Sequence, residues 1–456
     1  MPDKRQRERQ KPVASEGSVR RWRLSAILIA GACSVATLVF VTLSGCGAAS
    51  LFEPSPPIPP ETVSPIAGSP IDHIVIIMQE NRTFDNLFNG FPGADTVQSG
   101  MSDGVSVPLK PVGLADARGP DHSHKQWWRA WNYDSMDGFA ENGMGSLPYS
   151  YVPEKDDEAY WTLARNYTIG DRMFQSNTGP SFAAHQYMIA ARAGDVAENP
   201  SGGVWGCGAN SNSTDPLIGP NGTELPGVYP CFDYKTAADL LDEKGVTWRY
   251  YAPGEGNSFF ILSAYQAIRH IRYGNDWNQN VISPQNRILI DIAHGELAQV
   301  TWIVPDWTHS DHPGSKSSEG PDWVASIVNA IGQSQYWNST AIFITWDDWG
   351  GWYDHVDPPK IDKMGPGFRV PLIVVSPYAR RGYVSHHFHE VSGLVAFIEN
   401  NFALGTLGGR DDGSEAFADC FDYTQKPAPY SAVASRVTPD ALVHEEPSGP
   451  PDEDDY

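Results

Sequence analysis

Three short apolar runs end on residues able to bind a cation or an anion. "IVIIM" is followed within three positions by Glu80 and Asn81; "AIFITW" is followed by Asp347 and Asp348, and "VTWIVPD" by His309, Asp311 and His312. Each run is rich in branched residues and bounded by turn residues, the pattern of a strand buried on both faces. Ligands of open α/β sheets bind outside the carboxyl ends of the strands, so three such strands would bring carboxylates, an amide and imidazoles to one edge. Any one run reads first as a strand leaving into a polar loop. The coincidence of three points to a metal or anion site. Ser181 follows "NTGP" at the start of a helical pattern, where unpaired N–H groups and the positive dipole end favour a phosphate. Taken alone, Ser181 reads equally as a first-turn residue capping its helix.

Four stretches resemble one family, the phosphoesterases that include bacterial phospholipases C and metal-dependent acid phosphatases, related to alkaline phosphatases and sulfatases. They are "DHIVIIMQENRTFDNLF", "HSHKQWWRAWNYDSMDGF", "NTGPSFAAHQYMIA" and "ITWDDWGGWYDHV", with "DHPG" and "AIRHIRYGNDW" as weaker supports. Together they run from residue 72 to about 402. The resemblance implies that Glu80 and Asn81 are metal ligands, with the Asn81 amide also able to donate to a phosphate oxygen, and that Asp347 and Asp348 complete the acidic pair. It implies that Ser181 is a nucleophile whose hydroxyl is held on the metal. Oxygen donors without cysteine suit one divalent cation, Ca²⁺, Mg²⁺, Mn²⁺ or Zn²⁺. The two-zinc site of the wider superfamily, partly bound by histidine, is not what these motifs match.

His122 and His312 match family histidines, implying phosphate contacts or general acids. His270 is a weaker substrate-binding candidate, a structural histidine being the alternative. Asp354 and His355 read as support for Asp347 and Asp348. "SHHFHE", residues 386–389 and their neighbours, reads either as a second metal site or as a polar entry to the last helix. Trp127, Trp128, Trp131, Trp349 and Trp352 read as packing, with cation–π contact to a choline head group as the alternative.

These residues need a scaffold, and the chain supplies an alternating one. Helical stretches "SFAAHQYMIAARA", "AADLLDEKG", "PDWVASIVNAIGQS" and "EVSGLVAFIENNF" fall between or after the strand runs, with "VPLIVVSP" as a fourth strand. Alternation of this kind predicts an α/β fold in three layers, with a mostly parallel central sheet and helices on both faces. The catalytic domain is expected over residues 71–427. Residues 195–235, dense in Gly, Asn, Ser and Pro, read as an insertion that caps the site. Cys207 and Cys231 can close a loop within it if the compartment is oxidising, leaving Cys420 over.

The ends read differently. Residues 1–46 carry a basic stretch, an apolar run and "LSGC", a lipoprotein-type signal with Cys46 as lipid acceptor; an uncleaved anchor is the alternative. Arg20 and Arg21 give an imperfect twin-arginine pattern. Residues 47–70 read as a proline-rich tether and 428–456 as an acidic disordered tail. The globular part is therefore expected outside the cytoplasm, lipid-anchored to the envelope or secreted. The whole chain holds 32 Lys/Arg and 55 Asp/Glu. Removing residues 1–45 takes eight bases and three acids, leaving 24 against 52 and a net charge of −28. So acidic a surface argues against nucleic acid as a partner.

The expectation is thus a metal-dependent hydrolase of phosphate esters, phospholipase C-like, using Ser181 and a phosphoseryl intermediate. Its alternatives are an acid phosphatase acting on monoesters and a non-catalytic surface binding protein of the same fold.

Overall fold

"HIVIIMQ" forms the central strand of the molecule. The computed structural model describes residues 69–449 apart from 117, 255, 256, 258–261 and 412–416. The signal-type segment, Cys46 and all but the last two residues of the tether lie outside them. Eight strands form the main sheet: β1 (His73–Gln79), β2 (Thr168–Gly170), β3 (Trp248–Tyr251), β4 (Val281–Ile282), β5 (Val300–Ile303), β6 (Thr340–Trp346), β7 (Leu372–Val375) and β8 (Tyr383–Ser385). Their order is β4-β3-β5-β1-β6-β7-β2-β8. All run parallel except β7, which is antiparallel to both its neighbours.

Residues 74–78 are all fully buried. A strand can be apolar throughout only if both faces of its sheet are covered, and the helices accordingly fall into two groups. Glu158–Asn166, Arg287–His294, Gly320–Gly332 and Pro439–Val443 contact one another, as do Ser181–Ala190, Ala237–Lys244 and Gly393–Phe402. The expected three-layer α/β fold is the one observed. Among the described residues no helix is long and apolar enough to cross a membrane.

Register sets the functional edge. Gln79 lies opposite Trp346, and Ile77 opposite Ile303, so β1, β5 and β6 end close together. The Asp347 N–H still donates to the Gln79 carbonyl as the ladder closes, at 2.9 Å. Glu80 and Asp347 therefore leave the sheet side by side.

Cys207 and Cys231 form the disulfide that the sequence allows, with Cα atoms 4.6 Å apart, and the insertion around them carries a hairpin of Asp215–Ile218 and Glu224–Val228. One expectation changes. Residues 428–449, expected as part of a disordered tail, pack on the domain. The Trp337 indole N–H donates to the Ala428 carbonyl at 2.8 Å, Val433 is buried, and Pro439–Val443 is a short helix with Leu442 fully buried. Acidic and proline-rich composition concealed these few apolar anchors.

Candidate metal and active site

The turn after β1 is unusual in its backbone. Asn81 sits at φ 62°, a left-handed conformation that asparagine tolerates better than most residues. Its N–H donates to Asp347 Oδ1 at 2.8 Å, and the Asp348 N–H donates to the same oxygen at 2.7 Å. Asp347 is thereby fixed with its other oxygen, Oδ2, accepting no hydrogen bond among the described residues. Gly350 backs this turn: a Cβ there would lie 2.0 Å from the Asn81 carbonyl oxygen, which explains the first glycine of "WDDWGGWYDH". The second, Gly351, meets Pro120 in the same way, at 2.5 Å.

That contact brings in the loop carrying His122. The His122 Nδ1–H donates to the Pro120 carbonyl at 3.1 Å, so Nε2 is the ring's acceptor and takes a hydrogen bond from Asn81 Nδ2 at 2.8 Å. The amide's oxygen accepts no hydrogen bond among the described residues. Across the edge, Ser181 is the first residue of the helix Ser181–Ala190, all ten of whose side chains are buried. It makes no capping bond; instead its hydroxyl donates to Asp348 Oδ2 at 3.2 Å. The capping alternative therefore does not describe this serine. Asp348 Oδ1 accepts from the Gly350 N–H at 2.7 Å.

One residue of the site was not anticipated. His185, one turn beyond Ser181 on the same helix, reaches Glu80 Oε1 at 3.1 Å and lies 3.8 Å from Asp347 Oδ2. The signal in the sequence is Ser and His at i and i+4, which share a helix face, inside a stretch whose other residues are mostly apolar. Glu80, His185 and Asp347 each offer one ligand atom, all within 4.8 Å of one another.

Electrostatics are consistent with a cation here. Burial, then repulsion from Asp347, pushes the Glu80 carboxyl well above the usual range. Burial, then Asp348, pushes Asp347 up to about 6, and burial pushes Asp348 up to about 7. Burial pushes His185 down to about 4, leaving an uncharged imidazole able to ligate. Asn81 Oδ1 and Asp347 Oδ2 are buried and accept no hydrogen bond among the described residues. Carboxylates held toward neutrality chiefly by burial, beside orphan oxygens, form a donor set that a divalent cation satisfies. His185 adds a nitrogen to the expected oxygen ligands.

His122 and His312 stand together, ring centroids 6.0 Å apart. Both line a cavity of about 700 Å³ that also touches Pro180, Glu198 and Asn199, so the insertion does flank its mouth. His312 Nδ1 accepts from the Gly314 N–H at 3.3 Å, and burial, followed by His122 and Arg82, holds its pKa well below the ordinary value. It is a neutral imidazole with its hydrogen on Nε2.

Other expected residues go elsewhere. His270 lies half-exposed with its nitrogens 2.7 Å from Asp233 and 3.0 Å from Asp239, and among the described residues these are its polar partners. Asp354 and His355 do not support Asp347 and Asp348. Asp354 accepts from Arg369 Nε at 2.8 Å, while His355 pairs with Asp85 at 2.6 Å and Asp95 at 3.1 Å. His309 turns to Asp306, at 2.8 Å, and Asp311 accepts from the Tyr160 hydroxyl and the Trp346 indole N–H, both at 2.9 Å. Trp127, Trp131, Trp349 and Trp352 are buried in packing contacts, and the Trp352 ring lies under the Arg82 guanidinium at 5.1 Å.

Fold and site together define an α/β protein with a metal-type centre and a helix-borne hydroxyl on the carboxyl edge of its central sheet. Within that class the chain belongs to the Phosphoesterase family, whose sequence profile matches residues 71–405. It is similar to the non-hemolytic phospholipase C of Burkholderia pseudomallei, at 25% identity covering 73% of this chain and 55% of that protein. It is also similar to phospholipase C A of Mycobacterium tuberculosis, at 28% identity covering 77% of this chain and 78% of that protein. The non-specific phospholipase C4 of Arabidopsis thaliana is 26% identical, with 78% of this chain and 73% of that protein covered. The chain spans about half the length of the Burkholderia relative. Among solved structures, a protein of the alkaline phosphatase superfamily from Vibrio parahaemolyticus is 11% identical with a TM-score of 0.40, covering 79% of this chain and 74% of that one.

Proposed function

We propose that this protein is a metal-dependent hydrolase of phosphoric esters, phospholipase C-like, in which Ser181 forms a phosphoseryl intermediate. The observation that carries the reading is the Ser181 hydroxyl bonded to Asp348 beside Glu80, Asn81 and Asp347; the similarity to phospholipases C supports it. Glu80, Asn81, Ser181, Asp347 and Asp348, with His185, would hold the ion, whose charge lowers the pKa of the serine hydroxyl and polarises the phosphoryl group. Ser181 Oγ attacks phosphorus in line while its proton passes to Asp348 Oδ2. The Oγ–P bond forms and the bond to the departing alcohol breaks. The departing oxygen accepts a hydrogen bond from the neutral His312 Nε2–H and takes its proton from solvent, while the Asn81 amide, oriented by His122 Nε2, donates to a phosphate oxygen. Water then attacks the phosphoserine and releases a proton to solvent, the Oγ–P bond breaks, and Ser181 Oγ takes back the proton held on Asp348 Oδ2.

An N-terminal lipid on Cys46 and an extracytoplasmic location are part of the same proposal. The "LSGC" sequence supports the first, and a disulfide within the catalytic domain, which needs an oxidising compartment, supports the second.

Hydrolysis of a nitrophenyl phosphorylcholine diester and a nitrophenyl phosphate monoester by metal-stripped protein, resupplied with single cations, tests the activity. Metal-dependent preference for the diester is expected. Preference for the monoester would identify an acid phosphatase, and silence with every cation a binding protein. Ser181→Ala should cut turnover at least about 10³-fold with an unchanged circular dichroism spectrum, and acid quenching of the wild type should trap phosphate on Ser181. An active alanine variant would remove the serine from the mechanism.

A further inference from the structure

The histidine-rich run "SHHFHE" is not used by the site above, and its members separate. His386 faces Asp171 at the surface. His389 turns inward and meets Asp419 and Cys420, from the loop beyond the helix Gly393–Phe402. An imidazole nitrogen, a carboxylate oxygen and a thiol sulfur there lie within 4.8 Å of one another. His389 Nε2 is 3.3 Å from Asp419 Oδ1, and Cys420 Sγ is 3.7 Å from that same oxygen.

Those separations have a metrical meaning. A tetrahedral zinc binds nitrogen and oxygen at about 2.0 Å and sulfur at about 2.3 Å, which puts neighbouring ligand atoms about 3.3–3.6 Å apart. The two separations to Asp419 Oδ1 lie close to such edges and the third is under 4.8 Å, with the Ser385 hydroxyl 3.1 Å from His389 Nε2 as the contact an ion would replace. Packing fixes them: the His389 ring stacks on Phe417 with centroids 4.7 Å apart, Cys420 is fully buried, and Asp419 Oδ2 accepts from the Ser385 hydroxyl at the end of β8. Asp419 alone is partly open to solvent, with a side-chain exposure of 14%, giving an ion its way in and a place for water as fourth ligand.

We propose that His389, Asp419 and Cys420 form a second metal site, for a borderline divalent cation of the zinc class, sharing no residue with the centre around Ser181. Sulfur, nitrogen and oxygen donors together select such a cation, whereas the first centre contains no sulfur. Binding releases the Cys420 thiol proton to solvent, so affinity rises with pH. The ion would be structural, pinning the loop of Phe417–Phe421 to the edge strand β8, where hydrogen bonds from Ser385 and Tyr383 to Asp419 already make the connection.

Cobalt substitution tests this, because a thiolate bound to Co²⁺ gives a charge-transfer band in the near ultraviolet that oxygen and imidazole ligands do not. The full chain is used with Cys33→Ser and Cys46→Ser, which leaves Cys420 as the sole thiol beside the disulfide. The expected result is the thiolate band on adding Co²⁺, its loss in Cys420→Ser together with one cation per chain, and ester hydrolysis retained. Asp419→Asn, which keeps the side-chain shape, should weaken zinc binding at least about tenfold. Absence of the band in folded protein carrying Cys420, or a band that survives Cys420→Ser, would overturn the site and leave the cluster as a hydrogen-bond network. Neither result bears on whether Ser181 is the nucleophile.

Discussion

Gly350 and Asn81 share one space, and each explains the other's residue type. Gly350 has φ 58°, and a Cβ there would overlap the Asn81 carbonyl. Gly350→Ala therefore faces a left-handed backbone penalty of about 1 kcal/mol and a clash that only movement of the Asn81 turn relieves. The expected outcome is a folded protein with lower stability and a metal affinity reduced more than its stability, read by calorimetric titration of the stripped protein. Unchanged affinity would show that the turn tolerates displacement. His185 gives a sharper test at the same scale. It touches two carboxylates and nothing in the proposed phosphate path, so His185→Gln should weaken metal binding at least about tenfold while excess metal restores much of the turnover. A variant that binds metal like the wild type would reduce His185 to a packing residue.

The insertion beside the cavity shows how an element can carry a pH dependence. Asp215, first residue of its hairpin, is buried with Oδ1 accepting from the Glu198 N–H at 3.1 Å and Oδ2 unpartnered among the described residues. Burial, with Glu198 and Glu224 adding repulsion, pushes it up to about 8 against the opposing N–H bonds. Unfolded, it ionises near pH 4. Between about pH 4 and about pH 8 the folded chain thus holds a proton that the unfolded chain has lost, and this group's contribution to stability falls as pH rises. Asp215→Asn removes that linkage. Its melting temperature relative to the wild type should climb from pH 4.5 to pH 8, and a difference independent of pH would show that Asp215 is ionised in the fold. Legibility varied among elements for related reasons. Strands β1, β5, β6 and β7 announce themselves because sheets buried on both faces demand unbroken apolar runs, whereas β2 and β8, three residues each, and "WRYY" in β3 carry no such run. The direction of β7 was equally hidden, since an antiparallel strand between buried neighbours has the same composition as a parallel one. Glu80, Asn81, Ser181, Asp347 and Asp348 stood out by motif, but the partners of Asp354, His270 and His389 are set by tertiary contacts that no local spacing encodes.

At the scale of the molecule, the last described segment is part of the fold although its composition suggests otherwise. Residues 428–449 run over the helix Gly320–Gly332. Asn329 accepts from the Tyr430 hydroxyl at 2.8 Å and donates to the Val433 carbonyl at 2.9 Å. Asn286 donates to the Leu442 carbonyl at 3.0 Å, and the Ser448 hydroxyl meets Asp306, the carboxylate that holds His309. Val433 and Leu442 are buried; at roughly 1.5–3 kcal/mol each, they give roughly 3–6 kcal/mol, against which the ordering of the segment must be set. A net of a few kcal/mol is a large share of the stability of any domain. Ending the chain at residue 427 should therefore lower the urea midpoint and expose Trp337, whose indole N–H would lose the Ala428 carbonyl, with a matching red shift in tryptophan emission. The effect is expected on stability and not on the pH or metal dependence of hydrolysis, because among the described residues none of 428–449 hydrogen-bonds to Glu80, Ser181 or Asp347. A truncated protein with the wild-type midpoint would return the segment to the status its composition implies, that of a tail laid on a fold already complete.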